Sequence, residues 1–176
     1  MSAHDNLTRM MDNGIVAVIR ADSGELLADV AEALLAGGVD VMEVTFTVPN
    51  AIDVIKEVKR RIGDKVLLGA GTVLDTETAR AAILAGAEFI VSPSTDVEVI
   101  KLCRRYDTVV TPGIFTPTEA VTAWTIEALK NNYQLSFISF TAIDADILNR
   151  FYGTHVRGDE VTMIQPSLPP LLNLTS

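Results

Sequence analysis

A chain of 176 residues, 48% of them apolar, is long enough for one domain with a substantial core. Its formal net charge of −9 argues against a general nucleic-acid surface or an acidic-membrane surface. Its single cysteine, Cys103, excludes an internal disulfide and fits a reducing compartment.

Residues 1–13 lack the apolar core of a signal peptide, and no run is long enough to span a bilayer. The expectation is therefore a cytoplasmic protein. A first strand begins near Ile15 and ends at Arg20, and a helix follows over 23–36. Leu34-Leu35-Ala36-Gly37-Gly38 ends that helix on glycine, which accepts the left-handed cap. The second strand, Val41 to Val48, alternates strictly. Met42, Val44, Phe46 and Val48 form one face, and Val41, Glu43, Thr45 and Thr47 the other. A helix over 50–62 follows, with Asn50 and Asp53 as its cap signal. The third strand reads Val66-Leu67-Leu68-Gly69-Ala70-Gly71-Thr72-Val73, and Asp75 with Thr78 starts a helix over 75–85. Ile83-Leu84-Ala85-Gly86-Ala87 repeats the helix-to-strand junction. The fourth strand begins at Phe89 and ends at Ser92-Pro93. A capping box from Thr95 to Glu98 opens a helix over 95–106, in which Cys103 reads as a buried thiol. The fifth strand begins at Val109 and ends at Thr111-Pro112-Gly113. Thr116-Pro117-Thr118-Glu119 then supplies a cap residue, Pro at N1 and Glu at N3 for a helix over 117–130.

Strand starts recur every 20 to 26 residues or so, about one βα unit each. An α/β fold follows, and two architectures fit it. In a (β/α)8 TIM-barrel type, the C-terminal strand ends share one rim where active sites sit. In an open doubly wound sheet they line a crevice at a switch point. After Trp124 the repeat fails. Residues 1–124 read as a barrel portion of five βα units. Residues 125–176 read as a divergent segment, with a candidate sixth strand in Tyr133–Phe140 and then an irregular tail. The barrel is thus expected to be incomplete or altered after the fifth unit.

Glu43 is the candidate for chemistry. A parallel sheet normally has both faces covered, and a carboxylate pointing into one is costly without partners. It suits a general acid/base whose pKa a dry pocket would raise. Two plainer readings compete: an ion pair with Arg20, or a sheet open to water on that face. Arg20 has the fork geometry to grip a substrate carboxylate, and Thr47 and Thr72 can donate hydroxyls to the same anion. Gly69, Ala70 and Gly71 leave room for a ligand to approach the backbone. No Gly-x-Ser-x-Gly elbow occurs. His4 and His155 lie outside the βα series and give no metal-ligand spacing. An open-sheet nucleotide site would need a Gly-rich first turn, and Asp22-Ser23-Gly24 is a poor one.

These segments, in order, resemble a known family. Gly14-Ile15-Val16-Ala17-Val18-Ile19-Arg20-Ala21, Glu43-Val44-Thr45-Phe46-Thr47, Gly69-Ala70-Gly71-Thr72-Val73, Ile90-Val91-Ser92-Pro93 and Pro112-Gly113 before Thr116-Pro117-Thr118-Glu119 carry the likeness. Over residues 7 to 124 the chain is similar to the bacterial 2-keto-3-deoxy-6-phosphogluconate aldolases, a family that includes 4-hydroxy-2-oxoglutarate aldolase activity. The resemblance implies a (β/α)8 barrel, a homotrimer, and no metal or other cofactor. It implies a class I, Schiff-base aldolase that gives pyruvate and glyceraldehyde 3-phosphate. Glu43 would shuttle protons, Arg20, Thr47 and Thr72 would hold the keto-acid carboxylate, and Pro93 would line the pocket. The family's strand-six Lys-hydrophobic-Phe-Pro pattern and its Gly-Gly phosphate loop have no counterpart here. Lys130 is the nearest lysine. The rival reading is a non-catalytic relative that keeps a keto-acid pocket. A frameshift near Trp124 is the hypothesis for the abrupt change, and it requires a Lys-Phe-Pro-like stretch in another frame of the coding DNA.

Overall fold

The computed structural model describes residues 2–20 and 24–128. Its elements are α1 (Ala3–Asn13), β1 (Ala17–Ile19), α2 (Gly24–Ala36), β2 (Val41–Thr45), α3 (Ala51–Ile62), a single 3-10 turn (Gly63–Lys65), β3 (Leu67–Gly71), α4 (Thr76–Ala85), β4 (Phe89–Val91), α5 (Val97–Arg105), β5 (Val109–Thr111) and α6 (Pro117–Ala128).

The five strands are parallel and lie in sequence order β1-β2-β3-β4-β5. That order separates the two architectures. A doubly wound sheet reverses its strand order and sends helices to both faces. Successive right-handed crossovers that never reverse put every crossover helix on one face. The described residues therefore form the (β/α) barrel-type arrangement through α6. The candidate sixth strand and the segment after Ala128 lie outside the described residues.

Alternation along each strand sorts two cores. Met42, Val44, Leu68, Ala70, Ile90 and Val110 face the helices and pack with Leu27, Ala31, Ile55, Val58, Ala82, Ile100 and Cys103. Val41, Leu67, Phe89, Val91 and Val109 face inward and pack with Met10 and Val16. The expected alternation is thus real, but neither face is wet: all five residues of β2 are buried.

The sequence reading assigned no structure to residues 3–13. They form α1, which closes the N-terminal end of the strands, where Met10, Leu7 and Ala3 meet the inward cluster. Its local signals are good: Ser2 and Asp5 form a reciprocal capping box, and Gly14 at φ 73° takes the left-handed cap. Arg9 fixes the helix to the strand entrances. Its guanidinium donates to Asp40 Oδ2 at 2.9 Å and to the carbonyls of Asp64 and Lys65 at 3.2 and 2.6 Å.

Three local details differ from expectation. Asn50 precedes α3 but lies at φ 56° and makes no side-chain cap. The cap of α5 is Asp96, which accepts from the N–H groups of Glu98 and Val99, while Thr95 donates to Gly113 O. β1 starts at Ala17, so Arg20 stands one residue past its end. The caps at Asp75 and at Thr116 with Glu119 form as expected.

Candidate active site

The inward faces of the strands change character toward their C-terminal ends. The apolar layer of Val41, Leu67, Phe89 and Val109 is followed on β2 and β5 by the buried polar residues Glu43, Thr45 and Thr111. Residues two apart on one strand share a face, so Glu43 follows Val41, Thr45 follows Glu43, and Thr111 follows Val109.

Glu43 is 4% exposed. Among the described residues its Oε2 has no hydrogen-bond partner. Loss of water pushes its pKa up from 4.5 to about 7, against the opposing pull of the Arg20 charge. Among the described residues no ion pair joins the two side chains, so Arg20 acts on Glu43 as a field and not as a contact. That disposes of the ion-pair reading, and burial disposes of the open-face reading.

Arg20 is exposed at the end of β1. Thr47 lies two residues beyond β2, inside a turn closed by Val48 N–H to Thr45 O at 3.0 Å. Its hydroxyl is 2.7 Å from that of buried Thr45. Thr72 is the first residue past β3 and holds φ 59°, a left-handed conformation that is uncommon for a β-branched residue. Pro93 follows β4 and is half-buried. The backbone there is close-packed: a Cβ on Gly113 would overlap Pro93 O and lie 2.8 Å from Ser94 N. Arg20, Thr47, Thr72 and Pro93 therefore stand one or two residues beyond the C-terminal ends of β1 to β4, and Glu43 sits at the midpoint of β2.

One expectation is corrected. The space beside Gly69 and Gly71 is taken by the protein and not left for a ligand. A Cβ on Gly69 would overlap the Phe89 ring, and one on Gly71 would overlap the Glu43 carboxyl. Thr45 also belongs to this layer, although the sequence reading gave it no role. The signal was its place two residues after Glu43, on the same face.

The lysines are placed differently. Lys56 and Lys59 lie on α3, Lys65 on the turn before β3 and Lys101 on α5. Lys56, Lys59 and Lys101 are paired with carboxylates, and Lys65 stands at the N-terminal end of its strand. Lys130 lies outside the described residues. Among the described residues no group of three or more His, Cys, Asp or Glu side chains is arranged to hold a metal. No described helix is long and apolar enough to cross a membrane.

The sequence matches the model of the KDPG and KHG aldolase family over residues 7–132. The chain belongs to that family. Two curated aldolases of the family type are similar to it. The 2-dehydro-3-deoxy-phosphogluconate aldolase of Treponema pallidum is 39% identical over 105 residues, 60% of this chain and 50% of the relative. The 2-dehydro-3-deoxy-6-phosphogalactonate aldolase of Escherichia coli is 37% identical over 110 residues, 62% of this chain and 53% of the relative. Among solved structures, the KDPG aldolase of Legionella pneumophila, with pyruvate captured as a covalent carbinolamine, superposes with a TM-score of 0.60 at 31% identity. The superposition covers 63% of this chain and 53% of that one. This member of the KDPG and KHG aldolase family thus spans about half the length of the curated relatives it matches.

Proposed function

We propose that the chain is built for class I aldol chemistry on a 2-keto-3-deoxy sugar-acid phosphate, with 4-hydroxy-2-oxoglutarate as a second substrate of the same kind. The observation that carries this reading is Glu43: a buried carboxyl with one oxygen that no described residue partners and a pKa near 7, lying over Gly71 at the end of β3. Such a group is populated in both proton states at neutral pH, as general acid/base work requires. Family membership and the carbinolamine in the Legionella relative support a lysine Schiff base.

In this reading a lysine amine adds to the C2 carbonyl of the keto acid and water leaves, forming the iminium. Glu43 as carboxylate takes the C4 hydroxyl proton. The C3–C4 bond breaks and its electron pair moves toward the iminium nitrogen. Glyceraldehyde 3-phosphate departs, Glu43 returns the proton to C3 of the enamine, and hydrolysis frees pyruvate. Arg20 provides the charge for the keto-acid carboxylate, Thr47 and Thr72 provide hydroxyl donors, and Pro93 lines the pocket wall. Cleavage of the 6-phosphogalactonate isomer fits equally, since one relative carries that name. A cytoplasmic homotrimer belongs to the same reading.

The placement of the lysines favours a second reading: a keto-acid-binding relative that performs no chemistry. No described lysine stands at the C-terminal strand ends toward which the Glu43 carboxyl extends. Treatment with pyruvate and borohydride, followed by intact-mass measurement, separates the two. A reduced pyruvyl adduct on a lysine supports the aldolase. No adduct, together with saturable pyruvate binding, supports the binder. No adduct and no binding refutes both.

A further inference from the structure

β3 reads Leu67-Leu68-Gly69-Ala70-Gly71, so its inward positions are Leu67, Gly69 and Gly71. Two inward glycines in a packed strand give up side-chain contacts on both sides, and close approach by a neighbour is the usual compensation. The neighbours are set by register. Gly69 pairs with Glu43 on β2 and with Phe89 on β4, and Gly71 pairs with Thr45. Glu43 and Phe89 therefore compete for the one notch at Gly69.

Phe89 takes it. A Cβ on Gly69 would overlap Cε2 and Cζ of the ring and lie 2.5 Å from Cδ2. The Glu43 carboxyl instead extends over Gly71, where a Cβ would overlap Oε1 and Cδ and lie 2.9 Å from Cγ. It is thus advanced one same-face step, about 6 to 7 Å along the strand, toward the C-terminal ends. The fully buried ring forms an apolar floor beneath it. Arg20 is the charge that acts on the carboxyl. The inward residues of β3 and β4 are Leu67, Gly69, Gly71, Phe89 and Val91, none of them titratable.

We propose that Gly71 is a positioning residue for Glu43: its missing side chain is the seat of the carboxyl, and Phe89 seated on Gly69 keeps the carboxyl from settling lower. The kinetic consequence rests on Glu43 being the proton-transfer group, whereas the placement does not.

The test is a set of variants of the full chain: Gly71→Ala, Glu43→Ala, the double variant, and Gly69→Ala as a control. Urea unfolding midpoints and an NMR titration of the 13C-labelled Glu43 carboxyl are read. Gly71→Ala lowers the midpoint or prevents folding, and adding Glu43→Ala restores it, because the methyl then enters vacated space. Gly69→Ala meets Phe89 and is not restored by Glu43→Ala. Where Gly71→Ala folds, the Glu43 carboxyl titrates about one pH unit or more below its wild-type value, since displacement toward water relieves desolvation. An equal effect of Gly71→Ala with and without Glu43, or an unchanged titration, overturns the proposal.

Exchange of the pyruvate methyl protons with deuterated water adds the kinetic readout. Gly71→Ala lowers kcat about tenfold or more with KM nearly constant, and Glu43→Asp in that background recovers part of the loss by drawing the carboxyl back. A wild-type chain without exchange would refute the aldolase reading. The unfolding cycle and the titration would still decide the seat.

Discussion

Glu43→Gln isolates the energetic consequence of burying an acid. The carboxyl ionises near 4.5 in an unfolded chain and at about 7 in the native one. Below pH 4.5 both states hold the proton, and the residue contributes no pH dependence. Between 4.5 and about 7 the unfolded state has released the proton and the native state keeps it. The native state then binds more protons, so stability falls as pH rises. Above about 7 the native carboxyl ionises as well, and the penalty levels off. At about 1.4 kcal/mol per pH unit, the interval from 4.5 to about 7 amounts to about 3 kcal/mol. Glutamine has nearly the same shape and no charge to desolvate. Relative to wild type, Glu43→Gln should therefore gain about 3 kcal/mol between pH 4 and pH 8 or so. Urea unfolding of both proteins across that range measures the difference, and the other carboxylates cancel in it. A difference flat to within about 0.5 kcal/mol, or one that grows toward acid pH, would refute the claim that Glu43 is held in a dry site. The same variant should abolish any proton exchange into pyruvate.

Further outcomes follow from neighbouring features. Arg20→Ala removes the charge that pulls the Glu43 pKa down. The acid limb of the exchange rate against pH should then move above its wild-type midpoint, and KM for pyruvate should rise about tenfold. Thr72→Gly relieves a left-handed β-branched residue at φ 59°. It should raise stability by about 1 kcal/mol in thermal unfolding while weakening pyruvate binding. Met10 is 3% exposed and links α1 to the inward cluster. Met10→Ala should cost about 3 kcal/mol in urea unfolding, and a cost under about 1 kcal/mol would mean that α1 does not close the strand entrances.

Much of this was legible along the chain because its signals are local. A helix ends where glycine accepts a positive φ, as at Gly86, and starts where a short polar side chain reaches an unpaired N–H group, as at Asp75 and Thr116. Period-two alternation marks a strand regardless of what it meets. These are properties of a few neighbouring residues, and they delivered the five strands, the helices from α2 to α6 and the row of polar strand ends. Two caps differ from their local signals, one because a neighbouring side chain serves and one because of backbone geometry. Asp96 stood next to Thr95, and the backbone at Asn50 turned left-handed, away from cap geometry. The helix at residues 3–13 carries the same local signals, a capping box and Gly14, but its few apolar residues acquire a role only through the inward cluster that they cover.

By itself, the sequence determined the order of the elements from β1 to α6, the family and the polar residues that follow the strands, since each depends on neighbours within one turn or one strand. Only the tertiary structure decided strand order, and with it the choice of a barrel-type sheet over a doubly wound one. It alone decided that α1 closes the far end and that Glu43 is buried, without an ion pair among the described residues, and seated over Gly71. Those outcomes depend on which strand lies beside which, and on a contest between Glu43 and Phe89 for the space at Gly69, residues 46 positions apart in the chain. Packing settles such a contest in three dimensions, and no local pattern encodes its winner.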